Sequence, residues 1–289
     1  MIDQAISRLE ELAESDTVVA PLAVLQAEAL RASADSLWDS VVPDLERRRL
    51  DASQPLLNGQ STRVDPEVVR GLFARLVAVA RQHGPREAEP LRDVVEAGDI
   101  DVLAVLEASV SQDTDRLKKL ATSAGLDFEF VATVGQLATL PLLQACGRKA
   151  APLVEELDWH AGYCPVCAAW PTLAESRGLE RRRWLRCGRC GSAWSSDQQR
   201  CVFCDSRDHR HQGYLAPEAE RDSRRAVTCG NCRGYLKSLA TIAPISPAEI
   251  GLQYLTSIEL DMAALQQEYR RPERPGFELQ ISIEPAASV

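Results

Sequence analysis

The sequence contains no G-x-G-x-x-G following a strand-like run, no phosphate-cradling P-loop, no G-x-S-x-G and no H-E-x-x-H. These absences argue against nucleotide-dependent redox chemistry, nucleotide hydrolysis, serine-hydrolase chemistry and zinc-dependent proteolysis. No carboxylate pair stands out for general acid–base work either, and the chain is not expected to be an enzyme. No apolar run reaches the roughly 18 residues that span a bilayer, so membrane insertion is not expected. The first residues, MIDQAISRLEELAESD, form an acidic amphipathic pattern without the basic stretch and apolar core of a secretory signal. The expected compartment is therefore the cytoplasm, where the reducing environment disfavours structural disulfides.

Cysteine is what the chain has in quantity. Eight of its nine cysteines fall into four C-x-x-C pairs: Cys164/Cys167, Cys187/Cys190, Cys201/Cys204 and Cys229/Cys232. A C-x-x-C pair places two sulfurs on one tight turn, and two such turns supply the tetrahedral sulfur set that suits zinc or iron. Gaps of 19 and 24 residues separate the first pair from the second and the third from the fourth. Each gap accommodates a hairpin, so the simplest grouping is sequential; spacing leaves an interleaved grouping open. A segment with few large apolar side chains builds a thin core, and metal binding supplies folding energy there. A closed four-sulfur cage leaves no open coordination position for Lewis-acid catalysis.

Charge is unevenly spread. Residues 161–240 carry 14 Lys and Arg against 8 Asp and Glu, a net of +6, whereas the remainder carries 19 against 34, a net of -15. A basic cysteine-rich module thus sits in an acidic host. Its arginines offset the negative charge of metal–thiolate centres or meet an anionic partner.

Residues 1–160 read as helix. Apolar residues recur at spacings of three and four in LAVLQAEALRASADSLWDSV, DPEVVRGLFARLVAVARQH and DIDVLAVLEASVSQDTDRLKKLA. Asp65-Pro66 reads as an N-cap followed by proline at the first helical position. In LDFEFVATVGQLATLPLLQACGRKAAPLVEEL, Pro141 is expected to kink or split the run. Five to seven helices in a bundle-like arrangement are expected. The polar stretch ERRRLDASQPLLNGQSTRVD carries an apolar island, Pro55-Leu56-Leu57, which suggests a loop pinned to something. Residues 161–240 alternate in short runs (RRRWLRCG, GSAWSSD, HQGYLAP, RAVTCG, GYLKSLATI) that read as strands between cysteine turns. Residues 241–271 are expected to return to helix and pack back on the protein, and 272–289 to form a loose tail. The fold class is thus a mainly α-helical domain plus a small-β, cysteine-rich metal-binding module. Cys146 reads as a buried small hydrophobe. His209 and His211 read as solvated turn residues, and His83 and His160 as structural.

In order, the Pro-Leu-Leu loop, DPEVVRGLFARLVAV, YCPVCAAWP, RWLRCGRCGSAW, CVFC and CGNCRGYLKSL resemble the formate dehydrogenase accessory protein family, FdhE. The resemblance runs from about residue 20 to residue 271. It implies an all-helical part plus two rubredoxin-like modules with iron in their cysteine sites; zinc suits the same ligands. It also implies a non-catalytic maturation factor that binds the catalytic subunit of a respiratory formate dehydrogenase in the cytoplasm, before twin-arginine export, with redox sensing through the cysteine sites. Candidate ligands carried over are Cys164, Cys167, Cys187, Cys190, Cys201, Cys204, Cys229 and Cys232. Candidate partner contacts are Pro55, Leu56, Leu57, Arg181, Arg182 and Arg183, and a homodimer is compatible with the sequence. The chain departs from the family at Ala168-Ala169-Trp170, where small residues often follow the first pair. It departs again at Ala248-Glu249-Ile250-Gly251, where an acidic pair often starts the last helix. One alternative is a nucleic-acid-binding zinc ribbon, with Trp184, Trp194 and Tyr214 available to stack on bases. Another is a redox enzyme or electron carrier using iron in the two cages.

Overall fold

The structure is a computed structural model and describes residues 2–46, 53–83, 87–220 and 222–286. The chain divides into two compact units: Met1–Leu45, Leu57–Lys149 and Leu279–Val289 in the first, Glu46–Leu56 and Ala150–Glu278 in the second.

The first unit is helical. Its helices are α1 (Ile2–Ser15), α2 (Ala20–Ser33), the single turn α3 (Leu37–Ser40), α4 (Pro66–Gln82), α5 (Ala88–Ala97), α6 (Val102–Ser111), α7 (Thr114–Ser123), α8 (Phe128–Ala138) and the start of α9 (Leu140–Glu156). The described residues hold more helices than the five to seven expected, because one periodic stretch here encodes two short helices. DIDVLAVLEASVSQDTDRLKKLA is cut at Gln112, which takes a left-handed backbone (φ 59) as the cap of α6. Aspartates start the pieces: Asp65, Asp101, Asp113 and Asp127 accept hydrogen bonds from the N–H of Glu67, Ala104, Arg116 and Phe130. Each cap satisfies one of the helix's orphan donors. Pro141 falls in the first turn of α9, after a break at Thr139, so it splits the run.

The core of this unit is α4 packed against α2, α5, α6 and α8, with Leu72, Phe73 and Leu76 of α4, Leu106 of α6 and Val134 of α8 all nearly or fully inaccessible. Gly135 of α8 lets the helices approach, since a Cβ there would clash with Ser109 Oγ on α6. The stretch Phe128–Glu156 is long and apolar enough to cross a membrane, contrary to the reading of the sequence as lacking such a run. Its most apolar window is 78% buried inside the structure, the pattern of core helices.

Two stretches expected to be irregular are strands. β1 (Gln60–Val64) lies in the polar loop, and β8 (Ile281–Pro285) lies in the expected loose tail. They pair in parallel from Gln60↔Ile281 to Val64↔Pro285. The Ile283 N–H donates to Glu107 Oε2 of α6 (2.7 Å), and the Ile283 side chain is buried. Residues 47–52 of the polar loop and 287–289 of the tail lie outside the described residues.

The second unit is built on one six-stranded sheet. Its strands are β2 (Leu173–Arg177), β3 (Arg182–Arg186), β4 (Ala193–Ser195), β5 (Gln212–Leu215), β6 (Arg224–Cys229) and β7 (Tyr235–Thr241), in the order β4-β3-β2-β7-β6-β5. All neighbours are antiparallel except β2 and β7, which run parallel at the centre. The chain passes twice through the same series: cysteine pair, strand, strand, cysteine pair, strand. The sheet is therefore a tandem repeat in which the first strand of one copy pairs with the last strand of the next. Helices α10 (Ile250–Leu255) and α11 (Ile258–Gln266) follow, and α11 packs on β5, β6 and β7. Ile250 joins Leu173 and Leu239 in one apolar cluster; Leu260 and Ala264 join Ala226 and Tyr235 in another.

Two buried charges tie this sheet down. Glu175 of β2 is wholly inaccessible. Arg177 donates to it (2.7 Å), as do Arg186, the Thr241 hydroxyl (3.2 Å) and the Ile245 N–H (3.2 Å). Burial opposes its ionisation, but the two guanidiniums outweigh this and hold its pKa below the usual glutamate value. Lys237 of β7 is likewise inaccessible and donates to Asp261 Oδ2 (2.7 Å) and the Tyr254 carbonyl (2.7 Å).

Candidate metal centres

All four C-x-x-C pairs close the same turn. The N–H of each first cysteine donates to the carbonyl five residues on: Cys164 to Ala169 (2.8 Å), Cys187 to Ser192 (3.0 Å), Cys201 to Ser206 (2.9 Å) and Cys229 to Gly234 (2.9 Å). The residue after each second cysteine is left-handed: Ala168 (φ 62), Gly191 (φ 77), Asp205 (φ 61) and Arg233 (φ 58). Only Gly191 takes that conformation without steric cost. The other three hold it at about 1–3 kcal/mol each, so the surroundings must over-determine the turn. A centre that fixes both sulfurs of each pair does so.

The turns bring the sulfurs together in the sequential grouping. Cys164, Cys167, Cys187 and Cys190 form one quartet and Cys201, Cys204, Cys229 and Cys232 the other, the sulfurs of each lying within 4.8 Å of one another. Cys164–Cys190 and Cys167–Cys187 approach to 3.4 Å, and Cys201–Cys232 and Cys204–Cys229 to 3.7 Å. A tetrahedral site with metal–sulfur bonds of about 2.3 Å sets its sulfurs about 3.8 Å apart. Both quartets fit that donor set, and each can hold one metal ion.

Proton affinities support the fit. In the first quartet burial pushes the Cys164 and Cys190 thiols up, whereas hydrogen bonds from Cys164, Cys167 and Cys190 push Cys187 down. Thiols packed this closely resist sharing more than one negative charge; a cation at the centre removes that restriction. In the second quartet burial pushes Cys201 up to about 11 and also raises Cys232. Burial acts on Cys204 in the same direction, but hydrogen bonds led by Asn231 Nδ2 (3.4 Å) outweigh it and hold Cys204 at about 7.

The residues supporting the quartets are those that sequence reading missed. The Thr172 hydroxyl accepts from the Gly188 N–H (2.9 Å), and Ser192 Oγ lies 3.1 Å from Cys190 Sγ. Gly162 abuts Val202 so closely that a Cβ would collide with the Val202 carbonyl. An aromatic row runs from Trp159 through Tyr163 and Trp170 to Phe203, between the first and third cysteine turns, with the last ring pair 5.2 Å apart. Asn231 was legible as the third residue of C-G-N-C; the other contacts join residues distant in sequence.

The remaining candidates divide. Pro55, Leu56 and Leu57 are buried, Leu56 and Leu57 at 1% and 0% exposure. Their burial pins the loop, as its apolar island suggests, and leaves these side chains little surface to offer a partner. Arg181 and Arg182 are exposed at the β2–β3 turn. Arg183 is half-buried: it donates to the carbonyls of Arg200 (2.9 Å) and Asp197 (3.3 Å), and burial lowers its pKa to about 10. Of the aromatics considered for base stacking, Trp194 is buried, Trp184 is half-buried beside Arg177, and Tyr214 is exposed. His209 and His211 are exposed and belong to neither quartet, and Cys146 is buried.

No family model matches the chain. It is 29% identical over 123 residues to the Protein FdhE homolog of Aquifex aeolicus, a stretch covering 42% of this chain and 43% of that protein. It is 35% identical over 82 residues to the Protein FdhE homolog of Haemophilus influenzae, covering 27% and 26%. These alignments span less than half of the curated relatives' length. The crystal structure of the FdhE protein from Pseudomonas aeruginosa matches the fold over 95% of this chain and 94% of that one, with a TM-score of 0.59 and 23% identity. The chain thus shares local identity with curated FdhE homologues and a nearly full-length fold with the solved FdhE protein.

Proposed function

We propose that the chain is a non-catalytic accessory protein for formate dehydrogenase that acts in the cytoplasm on the enzyme's catalytic subunit before its twin-arginine export. The observation that carries the reading is the pair of four-cysteine quartets, mounted on a tandem repeat in a chain resembling FdhE homologues. In this reading Cys164, Cys167, Cys187 and Cys190 ligate one metal ion, and Cys201, Cys204, Cys229 and Cys232 another. Iron bound there supplies a one-electron couple, whereas zinc supplies only a fixed charge. The protein's own groups set the surroundings: Asn231 donates toward one sulfur, and Arg183 places a half-buried cation in the charge field of Cys201. Such hydrogen bonds and charges tune a thiolate centre, which supports redox sensing when iron is bound. The exposed Arg181 and Arg182 supply a cationic contact for the client.

The test is anaerobic affinity capture from a host that makes a respiratory formate dehydrogenase. The bait is the full chain or its Cys201→Ser/Cys204→Ser variant, and bound proteins are identified by mass spectrometry. The full chain is expected to retain the catalytic subunit, and the folded variant to lose it. Equal recovery by both would separate client binding from the second quartet; recovery of nucleic acid alone would sink the accessory reading.

A further inference from the structure

The two quartets share a fold and a ligand set but not their cover. In the first, the four cysteines are 0–2% exposed. Its turns are closed over: Val166 and Ala168 are fully inaccessible, and Pro247 sits against Gly191 where a Cβ would collide with it. In the second, Cys201 and Cys229 are buried, Cys204 is half-buried and Cys232 is exposed. The last turn, residues 230–233, is exposed at every position. The segment after α11 meets this turn at Arg233, whose carbonyl accepts from the Arg270 N–H (2.8 Å), and leaves Gly230, Asn231 and Cys232 exposed.

We propose that the second quartet is a ligand-exchange site that opens at Cys232 to an external soft donor of the thiol class, while the first quartet is closed. This rests on the reading of both quartets as metal sites. In the exchange step the bond between metal and Cys232 sulfur breaks as the incoming thiol binds through sulfur. The proton lost by that thiol goes to Cys232 Sγ, and the metal keeps its oxidation state. Three considerations select Cys232. An attacking donor must reach the metal beside the leaving ligand, and Cys232 is the exposed ligand. Asn231 hydrogen-bonds the sulfur of Cys204, which is held more firmly for it. The residues around Cys232 are exposed from Gly230 to Arg233. Local opening is easiest where backbone is solvent-exposed. The site is thereby fitted to take up a metal ion from, or pass one to, a cysteine-bearing acceptor.

The experiment uses the full chain loaded with zinc, its metal content measured before challenge. A chromophoric chelator reports metal release at several glutathione concentrations. Iodoacetamide labelling read by mass spectrometry reports which cysteines are freed. Two phases are expected: one equivalent leaving at least about tenfold faster than the other, its rate rising with glutathione, with Cys232 labelled first and the Cys164 quartet last. Simultaneous release, a fast phase indifferent to thiol, or first labelling in the Cys164 quartet would overturn the inference while leaving the metal sites standing. Absence of bound zinc at both quartets would overturn the metal reading itself and the inference with it.

Discussion

Replacing Asp261 with asparagine isolates the buried cation of the second unit. Lys237 is inaccessible, and burial, opposed by the charge of Asp261, brings its pKa down to about 8. The unfolded chain holds this proton up to about 10.4. Below pH 8 the lysine is charged in both states and the folded state bears the full penalty. Between 8 and the unfolded value the folded state releases its proton first, so stability rises with pH. At about 1.4 kcal/mol per pH unit the penalty at pH 7 is about 3 kcal/mol. Removing the carboxylate lowers the folded pKa further. A buried pair that loses one partner typically costs about 3–5 kcal/mol, but this lysine can escape by deprotonating. A fully neutral Lys237 costs at most about 4.6 kcal/mol at pH 7, only about 1.4 kcal/mol more than in the parent. The lost hydrogen bond adds about 1 kcal/mol. Tyr235 keeps an oxygen partner, since its hydroxyl now donates to Asp261 Oδ1 (2.8 Å) and an amide oxygen replaces it. Asp261→Asn is therefore expected to lose about 2–3 kcal/mol at pH 7 and only about 1 kcal/mol at pH 9.5, where the lysine is neutral in both folded proteins. Denaturant midpoints of parent and variant at the two pH values measure this. An equal loss at both would refute the account of Lys237 as a charged group held by Asp261.

Two further substitutions probe the helical unit. Asp127→Ala removes the carboxylate that accepts from the Phe130 N–H at the start of α8 (2.8 Å) and should lower stability by about 1 kcal/mol, read from the urea midpoint. Ile283→Ser removes the buried side chain of β8 and should lower stability by about 2 kcal/mol; hydrogen exchange at residues 60–64 should rise with it, and unchanged exchange would return the tail to the status of a loose end.

What could be read from the sequence was local. A C-x-x-C turn is fixed by four neighbouring residues, and a helix start by Asp-Pro, so the cysteine turns and α4 were recoverable. β3, β4, β5, β6 and β7 were legible because apolar or aromatic residues alternate between turns. β2 was not, because LAESR holds a charge at its centre, and Glu175 is buried only by virtue of Arg177 on its own strand together with Arg186, Thr241 and Ile245, which are distant in sequence. The β1–β8 pair was hidden for the same kind of reason: Gln60 and Ile281 are neighbours only after folding. Pro55-Leu56-Leu57 was legible as an apolar island pinning a polar loop, but what it packs on is decided only by the fold.

The difference between the two quartets is beyond any reading of motif. Both present the same C-x-x-C pairs on the same succession of strands, and the tandem repeat makes their backbones equivalent. Cover comes from outside the repeat. The turn at Pro247 arrives after β7 and seats on Gly191. The chain leaving β7 seats Pro247 on the second cysteine pair, whereas the segment after α11 meets the fourth at Arg233 and leaves Cys232 exposed. A repeated metal-binding ribbon followed by segments that cover its turns unequally thus yields one enclosed centre and one accessible one, from sequences that are alike at every ligand.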